Sequence, residues 1–79
     1  MHIERLVKMA NEIAQFFASE STSEEAPKSV ASHLTRFWDP RMRREIILHG
    51  QQGGVGLSDL ARHAVGLLVM PAGGATLDA

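Results

Sequence analysis

The chain has 79 residues, of which 44% are hydrophobic and 22% charged, with a formal net charge of −1 and no cysteine. It is too apolar for an intrinsically disordered chain and long enough for one domain at most. A fold of this size hides only about 60% of the surface that its unfolded chain exposes, so its own core is marginal. Without cysteine, no disulfide braces it and no thiolate can hold an Fe–S cluster or a cysteine-type zinc ion. These limits argue against a self-contained enzyme with a deep active site.

The charge is unevenly spread. Residues 1–35 hold Arg5, Lys8 and Lys28 against five glutamates, and residues 50–79 hold Arg62 against two aspartates. Between them, Arg36, Arg41, Arg43 and Arg44 outnumber Asp39 and Glu45, which leaves one basic stretch in a mildly acidic molecule. No apolar run approaches the roughly 20 residues of a membrane span. The opening Met1-His2-Ile3-Glu4-Arg5 has no basic leader followed by an apolar block. The reading is a cytoplasmic protein without a membrane partner.

Residues 2–18 carry the clearest periodicity. Ile3, Leu6, Val7, Ala10, Ile13, Ala14 and Phe17 recur at the spacing of one helix face, with Glu4, Lys8, Asn11, Glu12 and Gln15 mostly opposite. The polar run Ser19 to Glu25 has nothing to bury and reads as a loop and helix start. Ser21 with Glu24, or Thr22 with Glu25, offers a capping box, and Pro27 fits a first turn. Val30, Leu34, Phe37 and Trp38 predict a second helix over 26–38, closed by Pro40, which pushes the residue before it out of α geometry.

Asp39-Pro40 predicts a third helix over 40–49, with Asp as N-cap, Pro at N1 and Gly50 as the stop. Met42, Ile46 and His49 share its face, widened by Ile47 and Leu48. Gly50 to Gly56, with four glycines in seven residues, reads as a flexible connector. Ser58 then caps a last helix over 58–69, in which Leu60, Ala61, Ala64, Leu67 and Leu68 are apolar and Gly66 is a weak point. Residues 71–79 lack any period and read as a flexible tail. The expected architecture is all-α, a small bundle of three to four short helices in a single domain, 1–70.

Chemistry is sparse. His2, His33, His49 and His63 lack helical pair spacing and carboxylate neighbours, so no metal site is predicted. There is no thiol, and the serines lie far in sequence from any convincing base, so no catalytic residue is assigned. The glycine-rich stretch lacks the lysine of a phosphate-binding loop and follows a helix rather than a strand, so no cofactor-binding residue is assigned either. Residues 36–44, Arg-Phe-Trp-Asp-Pro-Arg-Met-Arg-Arg, are the least random patch. Tryptophan and arginine are enriched where proteins bind one another. Trp38 is therefore read as an anchor, Asp39 and Pro40 as the corner that aims it, and Arg41, Arg43 and Arg44 as polar contacts. Asp39 and Pro40 read equally well as cap and turn alone, Phe37 is divided between core and surface, and Met42 is read as core. A stand-alone regulator that binds DNA or another protein through 36–44 is the alternative. Against DNA stand the near-neutral total charge and the lack of a comparable basic cluster on the other helices.

The opening Ile3 to Ile13 (Ile-Glu-Arg-Leu-Val-Lys-Met-Ala-Asn-Glu-Ile), Phe16-Phe17, His33-Leu34, Arg36 to Arg43 and Gly56-Leu57-Ser58 together resemble the delta subunit of NAD-dependent formate dehydrogenase. The Phe-Trp-Asp-Pro-Arg-Met string is the specific part, and the likeness spans about residues 1–68. The resemblance implies an accessory subunit that docks on the large catalytic subunit of a cytoplasmic complex and supports its assembly, cofactor loading or stability. It also implies that molybdenum or tungsten bis-pterin guanine dinucleotide, Fe–S clusters and FMN are held by other subunits, with none in this chain and no nucleic acid partner. A chain that borrows its stability in this way should melt weakly and in a concentration-dependent manner when followed alone by circular dichroism. A sharp melt independent of concentration would show a self-sufficient fold.

Overall fold

The computed structural model describes residues 2–71 and is helical throughout, with no strand among them. Four helices follow in chain order: α1, Ile3–Glu20; α2, Ala26–Phe37; α3, Pro40–Gln51; and α4, Asp59–Gly66. Helices α1 and α4 each pack on all three others, whereas α2 and α3, joined by the shortest connection, barely meet. The predicted tail lies outside the described residues from residue 72 onward.

The apolar face of α1 is the one the periodicity predicts. Leu6, Ala10 and Ala14 are buried, and Ile3, Val7, Ile13 and Phe17 pack against them. The helix ends where the polar run begins, with the Ser21 amide on the Phe17 carbonyl at 2.9 Å. Half of a capping box forms next: the Glu25 amide donates to Thr22 Oγ1 at 3.2 Å. One turn later Ala26 and Pro27 are buried at the head of α2.

Two helix ends differ most from the sequence expectation. Helix α3 runs through Gly50 and stops at Gln51, and the glycines that end it are Gly53 and Gly54. The Gly54 amide reaches back to the His49 carbonyl at 2.9 Å and the Gly53 amide to Gly50 at 3.2 Å. This pair of bonds is the Schellman ending, and it is made possible by a φ of 114° at Gly53. Helix α4 stops at Gly66 rather than at 69. Its last amides turn tighter, Leu67 to Ala64 and Leu68 to Val65, and leave Leu67 exposed. Val65, absent from the predicted face, is buried.

The expected flexible connector is instead tied down. The Asn11 carboxamide donates to the Gly56 carbonyl and accepts from the Ser58 amide, both at 2.9 Å. His49 Nε2 donates to the Val55 carbonyl at 2.8 Å. Ser58, held in place through its own amide, accepts the Ala61 amide at its hydroxyl, 3.2 Å away, and so caps α4 as predicted. A side chain on α1 thus sets where the last helix begins.

Gly50 has a packing role in the interior of α3. A Cβ at this position would lie 2.9 Å from Val65 Cγ1 on α4. Val65 is buried and β-branched, with few rotamers into which to retreat. In an exposed helix, Gly→Ala gains about 1 kcal/mol. Here Gly50→Ala should instead lower stability by about 1–2 kcal/mol, read as the midpoint of urea unfolding. Combined with Val65→Ala, its cost should shrink by at least about 0.5 kcal/mol relative to the sum of the single changes. A midpoint raised by Gly50→Ala alone would show that the two helices are not in close contact there.

Candidate functional site

Residues 36–44 contain a helix end, two extended residues and a helix start. Pro40 forces Asp39 into extended geometry (φ −73°, ψ 166°), and Trp38 before it is extended too (φ −88°, ψ 139°). The Asp39 carboxylate accepts the Met42 amide at 2.9 Å, so Asp39 and Pro40 form the cap and first turn of α3. Where α helix gives way to extended chain, successive side chains point to opposite sides. Trp38 therefore turns inward and Phe37 outward.

That inversion corrects the anchor reading. Trp38 is only 6% exposed and belongs to the cluster of Leu6, Ala10, Val30, Leu34, Ile46 and Ala61, so its ring is already covered by the chain itself. Phe37 is the exposed aromatic, at 69%. Its ring lies beneath the Arg36 guanidinium, 5.9 Å from centroid to Cζ. Met42 packs against the core as expected.

The arginines do reach the surface. Arg41 is exposed, and Arg43 and Arg44 are half-buried. Arg41 and Arg44, with Glu45, Leu48, His49 and Gln52, line a shallow open concavity that Ile3 closes at one end. Leu48, expected on the packed face, is 43% exposed there. Among the described residues the sole ion pair within 4 Å is Arg62 with Asp59, at 3.9 Å on the surface and worth little. Among the described residues none of Arg36, Arg41, Arg43 and Arg44 has a carboxylate within 4 Å. Arg43 Nε is also shut away from solvent with no acceptor among the described residues, an arrangement that costs about 1–3 kcal/mol.

A second exposed surface was not predicted. Phe16 (58% exposed), Phe17, His33 and Phe37 form a continuous ladder across α1 and α2, with ring centroids 5.0, 5.9 and 4.7 Å apart in turn. The signal was Phe16 itself, a large aromatic outside the apolar face of α1. His33 thus serves an aromatic stack and His49 a backbone carbonyl. No cluster of three or more His, Asp or Glu suited to a metal occurs among the described residues.

The sequence model of the NADH-dependent formate dehydrogenase delta subunit family, FdsD, matches residues 5–65. The chain belongs to that family. The match takes in all of α2 and α3, most of α1 and α4, and both the Phe-Trp-Asp-Pro-Arg-Met string and Gly56-Leu57-Ser58. No curated protein and no solved structure matches the chain. No helix among the described residues is long and apolar enough to cross a membrane.

Core and surface roles at the corner are separable by stability. Trp38→Ala should cost about 3–5 kcal/mol, most of what a chain of this length has, and largely abolish the helical circular dichroism signal at 37 °C. Phe37→Ala should change the unfolding midpoint by about 0.5 kcal/mol or less. Equal losses from the two substitutions would place both rings in the core.

Proposed function

We propose that this chain is a non-catalytic accessory subunit of a cytoplasmic, NADH-dependent formate dehydrogenase, and that it docks on the large catalytic subunit. In this reading formate is oxidised at a molybdenum or tungsten bis-pterin guanine dinucleotide centre, and electrons pass through Fe–S clusters and FMN, all held by other subunits. Family membership supports the complex. The absence of cysteine supports the division of labour, since Fe–S clusters are held chiefly by cysteine thiolates.

The observation that carries the docking reading is the set of arginines on α3 with no carboxylate within 4 Å among the described residues. Arginine forks pair bidentately with carboxylates, and such pairs gain strength when a partner excludes water from them. Arg41 and Arg44 are the direct contacts in this reading. Asp39 and Pro40 fix the direction of α3, Trp38 holds the corner from inside, and the half-buried Arg43 is a further polar contact. The role in assembly, cofactor loading or stability is one of linkage: a protein that binds only the folded or loaded state shifts the population toward it. The gain is about 2.7 kcal/mol when its concentration is a hundred times its Kd.

The test is co-expression of the tagged chain with the large subunit. Arg41→Glu with Arg44→Glu should lower recovery of the large subunit by about tenfold or more, with the helical signal unchanged, and should reduce formate-dependent NAD reduction in extracts. Identical pull-down and activity for wild type, the double variant and the deletion would overturn the docking reading.

A further inference from the structure

We infer that the aromatic ladder between α1 and α2 is a second docking surface, and that its occupant is an amphipathic helix of the catalytic subunit with an acidic flank. This inference rests on the accessory-subunit reading but on a different set of residues. Met9, Ile13, Phe16 and Phe17 supply one wall of a groove and His33 part of the other. Toward α2 the groove continues over Phe37. Helix α3 does not cover this surface, since it packs on α1 and α4 and hardly touches α2. Two phenylalanines more than half exposed and stacked through a histidine are costly to leave in water, and such patches mark binding sites.

The shape and charge of the groove select the occupant. The three ring steps from Phe16 to Phe37 make a path of at most about 16 Å, room for two to three turns of helix at 1.5 Å per residue. Apolar residues spaced i, i+3 or i+4, and i+7 cover about 10 Å of helix axis, which fits within that length. Along the α2 edge Lys28, Ser32 and Arg36 recur at i, i+4 and i+8 and form a basic rail. Neither Lys28 nor Arg36 has a carboxylate partner among the described residues. The opposite edge carries Glu12. A helix with carboxylates on the flank above α2 answers both cations at once. A second copy packed groove to groove would offer only Glu12 from its own groove and leave one cation unmatched on each side.

The experiment uses the assembled complex, retained through a tag on the large subunit. Phe16→Ser with Phe37→Ser, and separately Lys28→Glu with Arg36→Glu, should each lower retention of the chain by about tenfold or more. Both positions of each pair are exposed, so the helical signal should be unchanged. A photo-crosslinking phenylalanine analogue placed at position 16 or 37 should label an amphipathic segment of the large subunit that carries Asp or Glu on one flank. Wild-type retention of the Phe16/Phe37 variant, or crosslinks to a second copy of this chain, would overturn the inference. Loss with the phenylalanine pair but not with the lysine–arginine pair would overturn the acidic occupant. If Arg41→Glu with Arg44→Glu abolishes retention while both ladder variants keep it, the accessory-subunit reading stands and this inference falls. If deletion of the chain leaves the complex unchanged, the reading itself falls.

Discussion

The burial of one indole at the joint between α2 and α3 is the constraint on which the rest depends. Six of the fourteen buried apolar residues are alanines (Ala10, Ala14, Ala26, Ala31, Ala61 and Ala64), and most of the others are Leu, Ile or Val. Small side chains let the helices approach closely but supply little volume, and Trp38 is the one aromatic ring among the buried residues. It also sits where two helices that barely touch must be held to the same core. Once Trp38 faces inward, its position in the chain sends Phe37 and the Asp39 carboxylate outward. Asp39 then caps α3, and α3 carries its arginines to the surface. The corner thus couples core packing to the chemistry of the exterior.

Close approach has a second consequence. Gly50 lets α3 press against Val65 on α4, and Asn11 fastens the start of α4 to α1 with two hydrogen bonds. These contacts bind the ends of α4, a helix of eight residues that is too short to persist in water by itself. A core in which six of fourteen buried apolar residues are alanine gains less from burial per residue than one of leucine, at about 25 cal/mol per Å² of apolar surface. Such a fold has little stability to spare, so binding free energy from a partner counts for a large share of the total.

Much of this architecture was legible in the sequence. The face of α1, the Asp39-Pro40 start and the Ser58 cap follow from local rules of spacing and capping, and local rules operate before any tertiary contact forms. The misreadings share one cause, which is that they depend on residues distant in the chain. Phe37 and Trp38 are both in register with Leu34, and helical period alone cannot choose between i+3 and i+4 at a helix end. Gly50 looks like a stop signal because glycine usually is one, whereas its reason for being there is a valine fifteen positions away. Asn11 reads as an ordinary polar-face residue, since its partners lie more than forty residues downstream. Among the candidate site residues, the arginines were legible as an unbalanced charge cluster. The ladder was not, because only Phe16 departs from the period and its neighbours in space belong to another helix.

The two exposed surfaces meet at the same corner, and that shared origin limits how they can act. Arg36 stacks on the ladder's last ring, Arg41 begins the α3 face, and only Phe37 to Pro40 separate them. A neighbour that touched both would bridge α2 and α3 from outside, where the chain has almost no contact between them. Its binding free energy would then oppose opening of the joint that Trp38 holds from within. Two exposed surfaces joined through one buried ring are not independent, because loosening the ring displaces both. Coupling of this kind needs no moving part or catalytic group, only a corner that is less stable alone than when clasped, which suits a subunit that contributes by shape and charge.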